Sequence, residues 1–146
     1  MKQPGCVFCD GTGGALVFQA PKFRVIRAAE AGFPAFYRLV WTDHVAEFSD
    51  LTSPDRHLCM DAVTQAEQVL RRHLQPTKVN LASLGNQVAH LHWHVIARFE
   101  WDSHFPGPVW AAAQREAARE ALARVESLLP ALETEMTLLL ARAGPA

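Results

Sequence analysis

The sequence lacks an excess of charge of either sign, and it lacks long apolar runs. Fourteen Lys and Arg residues against fifteen Asp and Glu give a formal net charge of −1 at pH 7, so a basic nucleic-acid-binding surface is not its main feature. No apolar run approaches the roughly 20 residues of a membrane span. These two absences argue against nucleic acid and membranes as partners.

Cysteine is also scarce, with three residues in the chain. This odd number gives no indication of an exported disulfide scaffold. The first residues contain no apolar segment of the kind that a secretory signal requires, so the cytoplasm is the expected location. At 146 residues, of which 49% are hydrophobic, the chain has the length and composition of one globular domain.

Five short segments have the β-branched and aromatic residues typical of strands. Pro21 marks a turn between the first two, and Gly85 with Asn86 marks a turn between the last two. Short connections within each group favour antiparallel pairing. The predicted strands are Ala15–Gln19, Phe23–Ala28, Phe36–Trp41, Val79–Leu84 and Val88–Arg98.

Two stretches show the apolar spacing of helices. The first has Ser53 as its cap and Pro54 in its first turn, and it runs to about Leu74. The second is an Ala-rich stretch from Val109 onward, in which Pro130 is expected to break or kink the helix. The order of strands, helix, strands and helix predicts an α+β domain.

A ladder of alternating histidines is the most distinctive pattern, because residues 90–96 read His-Leu-His-Trp-His-Val-Ile. Alternate side chains of a strand share a face, so the pattern places His90, His92 and His94 together, roughly 7 Å apart along the strand. Packing alone requires no such arrangement. Neutral imidazoles can bind a metal. Alternatively, one imidazole attacks phosphorus while its neighbours orient it and stabilise charge.

This run resembles the histidine-triad (HIT) motif, in which histidines alternate with hydrophobic residues. All seven positions fit, and so do Leu84-Gly85-Asn86 upstream and the segment from Phe105 to Trp110 downstream. The resemblance, to bacterial HIT-domain proteins of the Hint and Fhit type, covers about residues 5–110. It implies a HIT-like fold, an antiparallel sheet of about five strands with a central helix. The predicted domains are residues 1–110, the HIT domain, and residues 111–146, a helical extension packed on it.

The resemblance also implies a reaction, nucleotidyl hydrolysis or transfer on a purine nucleotide or dinucleotide. His92 would attack the α-phosphate of a nucleoside polyphosphate or phosphoramidate and form a covalent nucleotidyl-histidine, which water or another acceptor then cleaves. An imidazole suits this role because its ordinary pKa is near 6.5. His94 is expected to hydrogen-bond phosphate or leaving-group oxygens. A homodimer is implied as well.

Three segments near the predicted site differ from the pattern common in the family. Asn86 and Gln87 stand where many members have Gln and a hydroxyl residue; their amides are candidates to bind phosphate oxygens, although Asn86 is equally suited to a turn after Gly85. Phe36 follows Pro34-Ala35 where many relatives have Pro-Gly-His, so an orienting histidine is missing. Family members often have a ribose-binding Asp or Asn in the loop before the third strand. Glu30 is the only carboxylate nearby in this chain, and a solvated loop charge is the simpler interpretation of it.

The pair Cys6-x-x-Cys9 is compatible with a redox pair, an inert pair or half of a zinc site. A closed structural zinc site needs four ligands, and the chain offers no second cysteine pair. Some bacterial HIT proteins bind zinc through two N-terminal cysteines, a histidine after the third strand and the first triad histidine. The resemblance therefore implies structural zinc at Cys6, Cys9, His44 and His90, with no catalytic metal.

Three functions thus remain open. The first is a HIT-type nucleotide hydrolase that uses His92. The second is a zinc-stabilised purine-nucleotide-binding module with little turnover, which the Gly85-Asn86-Gln87 departure and the missing orienting histidine keep open. The third is a metalloenzyme in which all three triad histidines bind one catalytic metal.

Overall fold

One five-stranded antiparallel sheet, in the order β1-β2-β3-β5-β4, organises the fold. A computed structural model describes residues 1–143 of the chain. The predicted α+β class and the antiparallel pairing are confirmed. The strands are β1 Ala15–Gln19, β2 Phe23–Arg27, β3 Phe36–Trp41, β4 Lys78–Ala82 and β5 His92–Arg98.

Within residues 1–143, three α-helices accompany the sheet, together with a short 3₁₀ turn at Phe48–Asp50. They are α1 Val7–Asp10, α2 Ser53–Leu74 and α3 Arg119–Ala143. The helix α1 was not predicted, because the Gly-rich start of the chain indicated irregular structure. None of these helices has the length and apolar character needed to cross a membrane.

The helices α2 and α3 cover one face of the sheet and form the main core with it. Strand residues such as Val25 and Leu39 pack there with Val63 of α2 and Met136 of α3, all of them at most 1% exposed. The two-residue alternation of the strands and the helical spacing of α2 and α3 bring these apolar side chains together. The opposite face is left for the histidines.

The helix α2 begins as predicted, but its cap is Thr52 rather than Ser53. The Thr52 hydroxyl accepts a hydrogen bond from the backbone N–H of Asp55, at 3.3 Å, and Pro54 lies in the first turn. Ser53 is already helical. The difference of one residue arises because both side chains can cap a helix.

The strand β5 is shorter than the predicted Val88–Arg98 and begins at His92. The backbone N–H of Leu91 donates to the carbonyl of Val45, which lies in the loop after β3. Because this bond leaves the sheet, the β3–β5 ladder ends at Val40 and His92. His90 therefore lies outside the strand, and the prediction that three histidines share one strand face is corrected to two.

The C-terminal helix begins at Arg119 and not near Val109. The backbone N–H groups of Gln114 and Arg115 donate to the carbonyl of Ser103, which holds this stretch in a loop. Of the two effects expected of Pro130, a break or a kink, the break does not occur, because α3 continues through this residue. Apolar residues on both sides of Pro130 pack into the core, and we infer that their burial outweighs the lost backbone hydrogen bond; they are Val125, Leu129, Leu132, Met136 and Leu140.

The helix α3 is tied to the sheet by polar contacts as well. The Tyr37 hydroxyl donates to Glu133 at 2.9 Å, and the Thr137 hydroxyl donates to the carbonyl of Val17 at 3.1 Å. The predicted division into residues 1–110 and 111–146 stays a prediction, and residues 144–146 lie outside the described part of the chain.

Candidate functional site

Two triad histidines lie side by side on β5. His92 and His94 are 7% and 5% exposed, and their ring centroids are 5.0 Å apart at an interplanar angle of 77°. On the neighbouring strand β3 they stand opposite Val40 and Arg38. Strand alternation, as predicted, puts both rings on the face that α2 and α3 leave free.

The ring of His92 is held in one orientation by the backbone. Its Nδ1–H donates to the carbonyl oxygen of His90 at 2.6 Å, which leaves Nε2 with a free lone pair. Burial lowers the pKa of His92, while this hydrogen bond opposes that effect and the charge of Arg38 lowers the pKa further. The result is a neutral imidazole with one nitrogen available for chemistry.

His94 keeps a ring nitrogen free of any protein partner. Its Nδ1 is buried and makes no hydrogen bond within the described residues. Burial lowers the pKa of His94 to about 4, with further contributions from His92 and Arg38. The rings of Phe36 and Trp110 pack edge-on against it, with centroids 5.6 and 5.1 Å away. A buried polar atom without a partner is costly, so this nitrogen suits a ligand.

The N-terminal segment packs against the same histidines. The Phe8 ring lies 4.9 Å from the ring of His92 and 5.8 Å from that of His90. The guanidinium of Arg24, 9% exposed, donates to the carbonyls of Phe8 at 2.8 Å, Gly11 at 3.1 Å and Thr12 at 3.0 Å. These bonds fix the segment to β2, so Phe8 is a fixed part of the wall beside His92.

Four side chains far apart in the sequence converge next to the triad. One ligand atom from each of Cys6, Cys9, His44 and His90 lies within 4.8 Å of the others. Both cysteine sulfurs lie 3.4 Å from Nδ1 of His90, and Cys9 Sγ lies 3.5 Å from Nδ1 of His44. The structure therefore brings together the four residues that the sequence resemblance named as metal ligands.

The geometry of this cluster fits a tetrahedral zinc ion. Bonds of about 2.3 Å to sulfur and about 2.05 Å to nitrogen place the ligand atoms roughly 3.6 Å apart, close to the sulfur–nitrogen distances found. His90 Nε2–H donates to the carbonyl of Trp41 at 2.7 Å, so its Nδ1 carries the lone pair that a metal needs. The backbone N–H of Gln3 lies 3.3 Å from Cys9 Sγ, a contact that stabilises a thiolate.

The same contacts argue against a catalytic metal held by all three triad histidines. Both ring nitrogens of His90 are already committed, one to Trp41 and the other to the cysteine cluster. Nδ1 of His92 is occupied by the His90 carbonyl. His90 thus lies with the metal cluster, while His92 and His94 lie on the face of the sheet opposite α2 and α3.

Asn86 and Gln87 lie in the loop between β4 and β5, and both are exposed. Within the described residues, neither side chain is hydrogen-bonded to a histidine of the triad. The left-handed backbone of Gly85, with φ of +75°, forms the bend that precedes them. Their predicted contact with phosphate stays a prediction. A cleft of about 250 Å³ opens between this loop and the 3₁₀ turn, and His90 and His92 are among its lining residues.

The sequence did not reveal three neighbours of the triad. Phe8 lies inside the Cys6-x-x-Cys9 motif, whose spacing indicates a role for the two sulfurs but none for the residues between them. Arg38 lies on a strand whose register with β5 cannot be read from sequence. Trp110 falls in the stretch from Val109 onward whose spacing predicts a helix, but it lies in the loop before α3, is 52% exposed and packs on His94.

Comparison with known proteins gives consistent results. The model of the HIT domain family matches residues 13–101, more than half of the chain. A histidine triad protein from Bradyrhizobium japonicum is 27% identical over 86% of this chain and 92% of its own, with a TM-score of 0.71. One from Sinorhizobium meliloti is also 27% identical, over 85% and 90%, with a TM-score of 0.68. No curated protein matches this chain.

A more distant structure shows the same fold. The histidine triad protein from Marinobacter aquaeolei is 23% identical over 86% of this chain and 93% of its own, with a TM-score of 0.68. Each of the three alignments covers 85% or 86% of this chain and at least 90% of the other structure. The similarity therefore extends beyond the residues 13–101 that the family model matches.

Proposed function

Because this chain belongs to the HIT domain family, we propose that it is a nucleotide hydrolase or nucleotidyl transferase that uses His92 as its nucleophile. Membership of the family supports a function in nucleotide binding or hydrolysis. The finer proposal is cleavage at the α-phosphate of a nucleoside polyphosphate or phosphoramidate. The observation that carries it is the orientation of His92, whose Nδ1–H donates to the His90 carbonyl at 2.6 Å.

In the first step, Nε2 of His92 attacks the α-phosphorus. A nitrogen–phosphorus bond forms, and the bond between phosphorus and the leaving group breaks, with its electron pair departing on the leaving atom. The proton on Nδ1 stays on the ring, where the His90 carbonyl stabilises the positive charge that develops. Because burial keeps the ring neutral before the attack, no proton has to be removed from the nucleophile.

In the second step, water attacks the same phosphorus and loses a proton to solvent. The nitrogen–phosphorus bond breaks with its electron pair returning to Nε2 of His92, and the nucleoside monophosphate leaves. A different acceptor in place of water makes the reaction a transfer. The proposed role of His94 is to hydrogen-bond a phosphate or leaving-group oxygen through its free Nδ1, which has no partner in the protein. Positioning of this kind accounts for most of the catalysis in phosphoryl chemistry.

The proposed cofactor is one structural zinc ion held by Cys6, Cys9, His44 and His90. When bound, zinc supplies a cross-link and no reactive group, because four protein ligands close its coordination. The side chains themselves join the start of the chain to the loop after β3 and to the segment that leads into β5. The ligand His90 also offers the carbonyl that orients His92, so the two sites share one residue.

A binding module with little turnover is the second candidate. Phe36 stands where many HIT proteins have an orienting histidine, and it packs edge-on against His94. A phenyl ring has no nitrogen or oxygen atom with which to transfer a proton or to orient an imidazole by a conventional hydrogen bond. The arrangement of His92 and His94 would then serve to bind the phosphate of a purine nucleotide, and cleavage would be slow.

Turnover by wild type and by His92→Ala separates these functions. Both proteins are offered diadenosine tetraphosphate, diadenosine triphosphate and adenosine phosphoramidate, and AMP release is followed by chromatography. His57→Ala is the matched control, because His57 is exposed on α2. We expect release by wild type and His57→Ala, and none by His92→Ala.

Mass spectrometry of acid-labile adducts after rapid quenching identifies the residue that becomes nucleotidylated. An adduct on His92 supports the covalent mechanism. Release of AMP by His92→Ala at the wild-type rate would exclude His92 as the nucleophile. If wild type binds AMP but releases none from any substrate, the binding-module function replaces the catalytic one.

We also propose that the protein forms a homodimer, as the family resemblance implies. The strand β4 is an edge of the sheet, and Leu81 of β4 and Leu84 just beyond it are 38% and 52% exposed. Exposed strand edges with apolar side chains favour pairing with another chain. Light scattering during gel filtration tests this, because one chain has a mass of 16.2 kDa. The monomer mass at micromolar concentration would contradict the dimer.

A further inference from the structure

Arg38 faces the two free triad histidines from the neighbouring strand. It stands directly opposite His94 in the β3–β5 ladder, and residues paired in this way have side chains on the same face, with Cβ atoms about 5 Å apart. The open face of the sheet therefore carries a fixed cation beside the nucleophile.

The guanidinium of Arg38 has few hydrogen-bond and ion-pair partners within the protein. Its side chain is 20% exposed, and its Nε is buried without a hydrogen-bond partner. Its one ion pair within residues 1–143 is to Glu30, at 3.6 Å, and the side chain of Glu30 is 47% exposed. The Phe36 ring lies 5.2 Å below it. A guanidinium offers five donors in a planar fork, and most of these remain available to a ligand.

A second arginine of the same sheet shows the contrast. Arg27 on β2 is paired opposite Tyr37 on β3, so by alternation it lies on the other face. It forms an ion pair with Glu133 of α3 at 3.2 Å, and its side chain is 33% exposed. Arg27 thus has a structural partner, Glu133, on the helix side of the sheet. Arg38 lies on the triad side, and its partner, the exposed Glu30, is farther away, at 3.6 Å.

We propose that Arg38 is a substrate-binding residue that holds the phosphate of an anionic leaving group, and that it selects nucleoside polyphosphates over phosphoramidates. This inference rests on the proposed function and names the substrate class of the same site. A phosphate oxygen replaces Glu30 as the partner of the guanidinium, and a planar fork matches two phosphate oxygens at once. Phe36 supports the guanidinium from below and leaves its edge free.

The chemistry of the leaving group explains the selectivity. When a polyphosphate is cleaved, the phosphorus–oxygen bond breaks and its electron pair stays on the bridging oxygen, so the departing phosphate gains one negative charge. Arg38 stabilises that charge, and no proton is needed. When a phosphoramidate is cleaved, the phosphorus–nitrogen bond breaks, and the departing nitrogen takes a proton from solvent water and leaves as a neutral amine. A cation beside it then contributes little.

The test compares two substrates that share the adenylyl group but differ in the leaving group. Diadenosine triphosphate releases ADP, and adenosine phosphoramidate releases ammonia. We expect Arg38→Gln to lower kcat/KM on diadenosine triphosphate by about tenfold or more, the loss of one charge-assisted hydrogen bond or several, and to leave phosphoramidate hydrolysis within about twofold. Arg38→Lys keeps the charge without the fork and should fall between wild type and Arg38→Gln.

Arg27→Gln is the matched control, because it removes the same kind of side chain from the opposite face. It should change the ratio of the two kcat/KM values by less than twofold. Equal losses on both substrates in Arg38→Gln, or no loss on either, would overturn the proposal while the catalytic function stands. Circular dichroism shows whether Arg38→Gln folds. If it does not, the same comparison of the two kcat/KM values is made with Arg38→Lys.

Product binding tests the residue without turnover. With AMP placed at His92, the β-phosphate of ADP lies on the leaving-group side, so wild type should bind ADP more tightly than AMP, and Arg38→Gln should lose that difference in calorimetry. If wild type cleaves neither substrate, the catalytic function fails, and a preference for ADP that depends on Arg38 still supports this assignment. No such preference in wild type would overturn it.

Discussion

The ring of Phe8 packs against the ring of His92, with the two centroids 4.9 Å apart. Phe8 lies between Cys6 and Cys9, so the residue that contacts the candidate nucleophile is part of the candidate metal site. His90 adds a second link, because its ring faces the cysteines and its carbonyl holds Nδ1 of His92. The metal cluster and the reacting ring are therefore joined through two contacts.

The first prediction concerns the metal. The purified protein should contain one zinc ion per chain by elemental analysis, and Cys9→Ala should lose it, because four ligands close the site. Chelation should lower Tm, since the cluster joins three separate segments of the chain. Cys59→Ala is the control; burial raises the pKa of Cys59 to about 12, and it should keep the zinc. Full zinc content in Cys9→Ala would contradict the assigned ligands.

The second prediction concerns the contact between Phe8 and His92. Phe8→Ala should lower kcat by about 10- to 100-fold, the range that a small displacement of a reacting group can cause. Phe8→Leu keeps apolar packing on the ring and should retain more activity. Zinc content is measured in both variants. A loss of zinc that parallels the loss of activity would assign the effect to the metal site instead.

The third prediction concerns the loop that carries Trp110. Asp102 is 1% exposed and accepts hydrogen bonds from Arg98, at 2.8 and 3.2 Å, and from the backbone N–H groups of Phe99, His104 and Phe105. Asp102→Asn leaves Arg98 without its buried counter-charge and should lower the free energy of unfolding by about 3–5 kcal/mol.

Urea denaturation measures this change, with Asp61→Asn as the control. Asp61 lies on the exposed side of α2, where a substitution should alter the free energy of unfolding by less than about 0.5 kcal/mol. A similar small effect at Asp102 would show that the loop does not depend on this ion pair.

The fourth prediction concerns pH. Burial lowers the pKa of His94 to about 4, with His92 and Arg38 acting in the same direction. The unfolded chain, whose histidines titrate near 6.5, therefore binds a proton that the folded chain does not bind between those values. The free energy of unfolding should fall as pH decreases from 6.5 towards 4. The groups that face His94 are His92, Arg38, Phe36 and Trp110.

Replacing His94 tests whether its titration causes this decrease in the free energy of unfolding. His94→Asn should reduce the decrease in the free energy of unfolding between pH 6.5 and pH 5 by about 1–2 kcal/mol relative to wild type. The metal-binding residues are the same in both proteins, so any effect of metal loss at low pH is expected to cancel and the difference between them isolates His94. Identical pH dependence in the two proteins would show that His94 titrates normally when folded.

Local patterns in the sequence predicted most of the secondary structure. Alternation placed His92 and His94 on one strand face, and the signals at Pro54 and near Leu74 placed the ends of α2. These features depend on backbone geometry and on neighbours within a few residues, which the sequence displays directly. Local patterns wrongly placed His90 in a strand and the start of the last helix near Val109. In both places, backbone hydrogen bonds to residues outside the local pattern hold the chain in another conformation.

The family resemblance, and not spacing, assigned His44 and His90 to the cysteines, since their ligand atoms come from three separate segments. The neighbours of the triad were decided by the tertiary structure alone. Arg38 and His94 are 56 positions apart, and they face each other because β3 pairs with β5 in one register. A shift of one residue would turn Arg38 to the helix side. Strand register is set by the packing of the whole sheet, and no short segment encodes it.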